Sequence, residues 1–192
     1  MTTPPNSRPS YSTPLAGHPP QTQIMTDRAV FTEAYAVIPK GVMRDIVTSF
    51  LPHWHGTRAW VLARPLTGFA ETFAQLIVEI APGGGSDQPE PEAGAQGVLF
   101  VVGGAVTVHL DGVAHVLDLG GYAYLPPGCG WTITNHGDAP ATLHWVRKRY
   151  VAVAGIDRPE AFFTSDAAVA PTPMPGTEGR WATTRFVEPT DL

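Results

Sequence analysis

Residues 120–135 read GGYAYLPPGCGWTITN: a short apolar run, a Pro-Pro-Gly turn, and a second short run that ends on an asparagine. Proline presets φ for a turn and glycine accepts the positive φ that closes it, so the stretch predicts strand, turn, strand. Just before it, residues 105–110 and 113–117 alternate apolar and polar side chains on either side of Asp111-Gly112. Asp-Gly between two alternating runs is a strong short-range signal for a β-hairpin. Further out, residues 97–102 (GVLFVV) form the continuous apolar run of a buried strand. Residues 57–64 (TRAWVLAR), 131–135 and 141–151 add further candidate strands. Residues 69–81 (FAETFAQLIVEIA) fit a helix by periodicity alone, but the β-rich context and the stop expected at residues 82–85 (PGGG) favour a strand. Regular short strands with little helical pattern predict an all-β fold, a small antiparallel barrel or jelly roll.

Composition agrees with that class. The 192 residues include 20 glycines and 20 prolines without a Gly-X-Y period, which excludes collagen and fits many tight turns. A formal net charge of -5 leaves no basic footprint for nucleic acid or an anionic membrane. No run approaches the roughly 18 apolar residues of a membrane helix. Residues 1–25 are rich in Pro, Ser and Thr, lack a signal-peptide apolar segment, and are expected to form a flexible tail. The one cysteine, Cys129, has no partner for an internal disulfide, which predicts a cytoplasmic protein.

Gly120, Pro126, Gly128, Trp131 and Asn135 fall at the spacing of the second cupin motif, which this stretch resembles. The family has a histidine where this chain has Trp131. Residues 84–104 resemble the first motif, where two histidines and a glutamate are expected. Here Glu90 and Glu92 stand near the histidine positions, and Gln96 or Gly97 near the glutamate. A site of three imidazoles and one carboxylate needs those side chains to converge inside the barrel. The resemblance therefore implies a cupin double-stranded β-helix without the metal set, and no metal is expected in this chain.

A more specific resemblance covers most of the chain from Thr26 onward. Residues 26–54 (TDRAVFTEAYAVIPKGVMRDIVTSFLPHW), 68–73 (GFAETF), 120–128, 147–155 (RKRYVAVAG) and 179–187 (GRWATTRFV) are similar to the bicupin (S)-ureidoglycine aminohydrolases. That family converts ureidoglycine and water to ureidoglycolate and ammonia in allantoin breakdown. The resemblance implies half of a bicupin, with residues 26–165 as the barrel. Residues 166–192 are then a linker and the strand that opens a second cupin. It also implies catalytic Mn²⁺ in that second cupin, a complementing domain or chain, a homo-oligomer and a small ureide substrate. A non-catalytic scaffold or a small-ligand-binding cupin is the alternative.

Individual residues refine these expectations. Glu90, Glu92, Gln96 and Trp131 are the candidate lining of a barrel pocket. For the two glutamates a solvated Pro-rich loop is the plainer reading. Trp131, if inward, would plug the barrel or offer a stacking platform. His53 and His55, two apart on an extended segment, would point the same way. His109 and His115 flank the Asp111-Gly112 turn and are expected to face each other across the strands. Arg147 and Arg149 share one strand face, with a solvated edge or a domain interface as the expected setting. Cys129 has no flanking histidine to activate it.

Overall fold

The computed structural model describes residues 30–31, 36–38, 51–63, 72–88 and 90–187. The tail expected over residues 1–25 lies outside the described residues, as does most of 26–50. The elements are β-strands throughout, with no helix among the described residues. Two short strands, β1 (Val30–Phe31) and β2 (Ala36–Val37), pair with each other. The barrel comprises β3 (Trp54–Ala63), β4 (Ala74–Ser86), β5 (Ala95–Gly103), β6 (Val106–Leu110) and β7 (Val113–Leu117). It continues with β8 (Gly121–Leu125), β9 (Trp131–Thr134), β10 (Ala141–Arg149) and β11 (Phe162–Ser165). These nine form one antiparallel sheet in the order β11-β8-β5-β10-β4-β9-β6-β7, with β3 paired to β4.

Period-2 alternation explains the core. On β5, Leu99 and Val101 turn inward; on β10, Ala141, Leu143 and Trp145 do the same, with Leu143 opposite Val101 and Trp145 opposite Leu99. Leu76, Val78 and Ile80 from β4, Val106 and Val108 from β6, and Ile133 from β9 complete an apolar interior. Each inward strand face is buried because it meets the inward face of the strands across the barrel. The hairpin reads as expected: Asp111 and Gly112 both adopt positive φ, at 49° and 83°, and Leu110 pairs with Val113.

The stop expected at residues 82–85 does not occur. β4 runs on to Ser86 and exchanges its partner β10 for β9, pairing Gly85 with Thr134 and Ser86 with Ile133. Glycine is what permits this corner. Gly85 sits at φ 152°, and a Cβ there would overlap the Ile133 carbonyl oxygen. At Gly84 a Cβ would come within 2.8 Å of the Gly56 carbonyl oxygen. Asn135 fastens the corner. Its side-chain amide donates to the Ile80 and Ala139 carbonyls at 2.9 Å each, and its carbonyl accepts from Gly137 N at 2.8 Å. At 1% exposure its polar atoms need such partners, so the asparagine of the motif is structural here.

At the two ends of the sheet order, His115 of β7 stacks on Phe163 of β11 with centroids 3.7 Å apart and planes 2° apart. His109 is not opposite His115: it pairs with Ala114, and Val108 pairs with His115. The two histidines, one residue out of register, lie on opposite faces. Within residues 166–192, expected as a linker and the strand that opens a second cupin, residues 180–187 contribute β13 (Ala182–Thr183). It pairs with β12 (Thr172–Pro173). Phe186 then packs on the barrel exterior, 4.6 Å from the Tyr122 ring.

Candidate functional site

One end of the barrel interior is aliphatic and the other aromatic. Trp54 opens β3, Trp131 opens β9, and Trp145 lies late in β10. Ring centroids are 5.5 Å apart for Trp54–Trp145, 5.8 Å for Trp131–Trp145 and 6.2 Å for Trp54–Trp131. One pair is stacked and two are edge-to-face, the arrangements that aromatic quadrupoles favour. Trp131 and Trp145 are 5% and 4% exposed, so indoles fill the space that a pocket would need. Gly97 on β5 makes room, because a Cβ there would stand 3.1 Å from Trp145 Nε1. That indole N–H is buried and has no hydrogen-bond partner among the described residues.

Above the indoles lies an ionic layer. Arg147, two residues beyond Trp145 on the same face of β10, sets its guanidinium carbon 5.2 Å from the Trp145 ring centroid. Its Nη2 donates to Glu90 Oε1 at 2.7 Å and to Glu92 Oε2 at 3.3 Å, and Arg149 Nη2 reaches Glu92 Oε1 at 3.2 Å. The solvated loop expected at Glu90 is not found: its side chain is 8% exposed, because Arg147 supplies the charge that lets it be buried. Glu92 remains accessible at 45%. Arg147, likewise, is no solvated edge; its side chain is 27% exposed and committed to the two glutamates.

Of the four candidate lining residues, Glu90 and Glu92 share Arg147 as partner, and Trp131 lies in the indole cluster that Arg147 covers. Gln96 stands apart. Alternation along β5 turns it outward, where Tyr124 donates its hydroxyl to Gln96 Oε1 at 2.7 Å. Trp54, Trp145 and the inward role of Arg147 were not read from the sequence. The signal for two of them was present, since Leu143, Trp145 and Arg147 share one face of β10 by period 2.

The residues at the family's ligand positions do not fit a divalent transition metal. Glu90 is engaged by Arg147, Gln96 faces away, Gly97 has no side chain, and an indole offers no lone pair in its ring plane. No group of three or more His, Cys, Asp or Glu side chains is gathered for a metal among the described residues. His53 has φ 65° in the turn that precedes β3, while His55 lies on β3, so the two are not alternate residues of one extended segment. Burial pushes the Cys129 thiol above its ordinary range, and its sulfur donates to the Pro126 carbonyl at 2.8 Å. Both disfavour a reactive thiolate.

Comparison with known proteins bears on the fold and the family. The family model for the Cupin domain matches residues 76–147, the span from β4 to β10. A Pseudomonas aeruginosa protein described as glyoxylate-induced is 54% identical, with 96% of this chain and 67% of that chain covered at a TM-score of 0.81. The protein Ylba of Escherichia coli shares the fold at TM-score 0.68 and 24% identity, over 79% of this chain and 60% of that one. (S)-ureidoglycine aminohydrolase of Escherichia coli strain K12 is 28% identical over 134 residues, which are 69% of this chain and 49% of that enzyme. The chain thus spans about half the length of the curated relative it matches. Among the described residues no helix is long and apolar enough to cross a membrane. With its antiparallel barrel, its turn glycines and its relatives, the chain belongs to the cupin family and is a homologue of (S)-ureidoglycine aminohydrolase.

Proposed function

We propose that this chain is the metal-free first cupin of a ureidoglycine aminohydrolase of the bicupin type, which supports the activity without housing it. The activity in question releases ammonia from ureidoglycine and leaves ureidoglycolate. The observation that carries the reading is the barrel mouth: Trp131 and Glu90 stand at or near ligand positions, Glu90 is engaged by Arg147, and no donor set for Mn²⁺ is left. The catalytic metal would then belong to a second cupin, on the same chain or on a complementing one. The homology to the aminohydrolase supports the reaction class. Assembly into a homo-oligomer and a cytoplasmic location complete the proposal, the latter in keeping with a single unpaired cysteine.

Ammonia release from freshly generated ureidoglycine tests it. The purified 192-residue chain with added Mn²⁺ should release ammonia no faster than the uncatalysed reaction. Addition of a second cupin domain should bring rates above that background. Mn²⁺-dependent release by the chain alone would overturn the assignment of catalysis to the other half.

A further inference from the structure

Glu90 is a nearly enclosed carboxylate, 8% exposed, whose cation lies over the Trp145 ring. A charge so placed needs a cation, and the partner present is a guanidinium that does two things at once. It donates to Glu90 at 2.7 Å and lies over the Trp145 ring at 5.2 Å. A flat cation with in-plane donors and an apolar face matches a carboxylate beside an aromatic plane; a spherical ammonium or metal ion matches only the carboxylate. Lys148, the next residue, is exposed and belongs to the opposite face of β10.

We propose that the mouth of this barrel is a recognition site for a planar guanidinium-type cation, and that its resident is the chain's own Arg147. An outside guanidinium or amidinium group enters only when that side chain withdraws. The site rests on the reading of this barrel as metal-free, since a metal here would take the same carboxylates.

Chemical rescue tests the site directly. Arg147→Ala in the full chain should lower the thermal midpoint by about 3–6 °C, because Glu90 is left without its cation. Methylguanidinium chloride at about 10 mM, far below denaturing concentrations, should restore at least half of that loss and do so saturably. Potassium chloride at equal concentration should not, and neither the parent chain nor the Arg147→Ala/Glu90→Gln variant should respond to methylguanidinium. Absence of saturable rescue, or equal rescue without Glu90, overturns the site. Should the alanine variant not fold, Arg147→Gln and Glu90→Gln give the same test by coupling. The double variant should lose clearly less than the sum of the two single losses, and strict additivity overturns the proposal. The ammonia assay reads a different quantity, so failure of one claim is separable from failure of the other.

Discussion

The two ends of the barrel interior are built from the same strands and end in different chemistry. β10 contributes Ala141 and Leu143 to the aliphatic end, then Trp145 and Arg147 to the mouth. β5 contributes Val101 to the first, Leu99 opposite Trp145 at the junction, and Gly97 to the second. The aliphatic end is held by non-directional burial, so residues of similar volume would serve. The mouth depends on who meets whom: a glycine against an indole, a guanidinium above it, and carboxylates on that guanidinium. Alternation sets which face a residue takes. Cross-strand register sets its neighbours, and only the mouth is sensitive to the second.

Truncation at the mouth should have the largest effect. Trp145→Ala removes an indole that packs on Trp54, Trp131 and Arg147, and should cost about 3–5 kcal/mol in chemical denaturation. Leu143→Ala at the aliphatic end, fully buried, should cost about 2–5 kcal/mol. Near-zero loss for the tryptophan beside a full loss for the leucine would erase the picture of a packed aromatic mouth. Glu90→Gln comes next at about 1–3 kcal/mol, because it removes the nearer, buried carboxylate from Arg147 and leaves that guanidinium only the exposed Glu92. Glu92→Gln sharpens the contrast: its carboxylate is 45% exposed, and the loss should stay below about 0.5 kcal/mol.

The smallest effect concerns the outside of the same strand. His144 pairs with Phe100 on one side and Ile77 on the other, and burial holds its imidazole below the ordinary range. The folded state therefore binds fewer protons there than the unfolded chain does. Its contribution is intact above the unfolded pKa, about 6.5, and is lost as pH falls below it. The thermal midpoint should decline as pH drops from about 7.5 to 5.5, and His144→Leu should flatten that decline. Equal slopes for parent and variant would show that His144 is not the group responsible.

Much of the fold was legible in local sequence. The Asp111-Gly112 hairpin, the short apolar runs and the motif glycines act through nearby backbone, and each does what its residue type requires. At Gly84 and Gly85 a stop and a change of partner look alike in the sequence until the partners, Gly56 and Ile133, are known. The site was half legible. Trp131 could be named as an inward plug because the motif places it. The burial of Glu90 is invisible to local pattern, because its cation lies 57 residues away in sequence. Gln96 and Gly97 were equal alternatives by spacing. Alternation on β5 separates them, sending Gln96 out to Tyr124 and leaving Gly97 under Trp145.

The central claim is that this barrel mouth is closed by the chain's own side chains and has no place for a metal. Thermal unfolding of the chelator-treated chain, with and without Mn²⁺, tests it most directly. Coincident midpoints are the predicted result. A ligand that binds only the folded state adds about 2.7 kcal/mol at a hundredfold excess over its Kd, so a midpoint that rises saturably with Mn²⁺ would contradict the account.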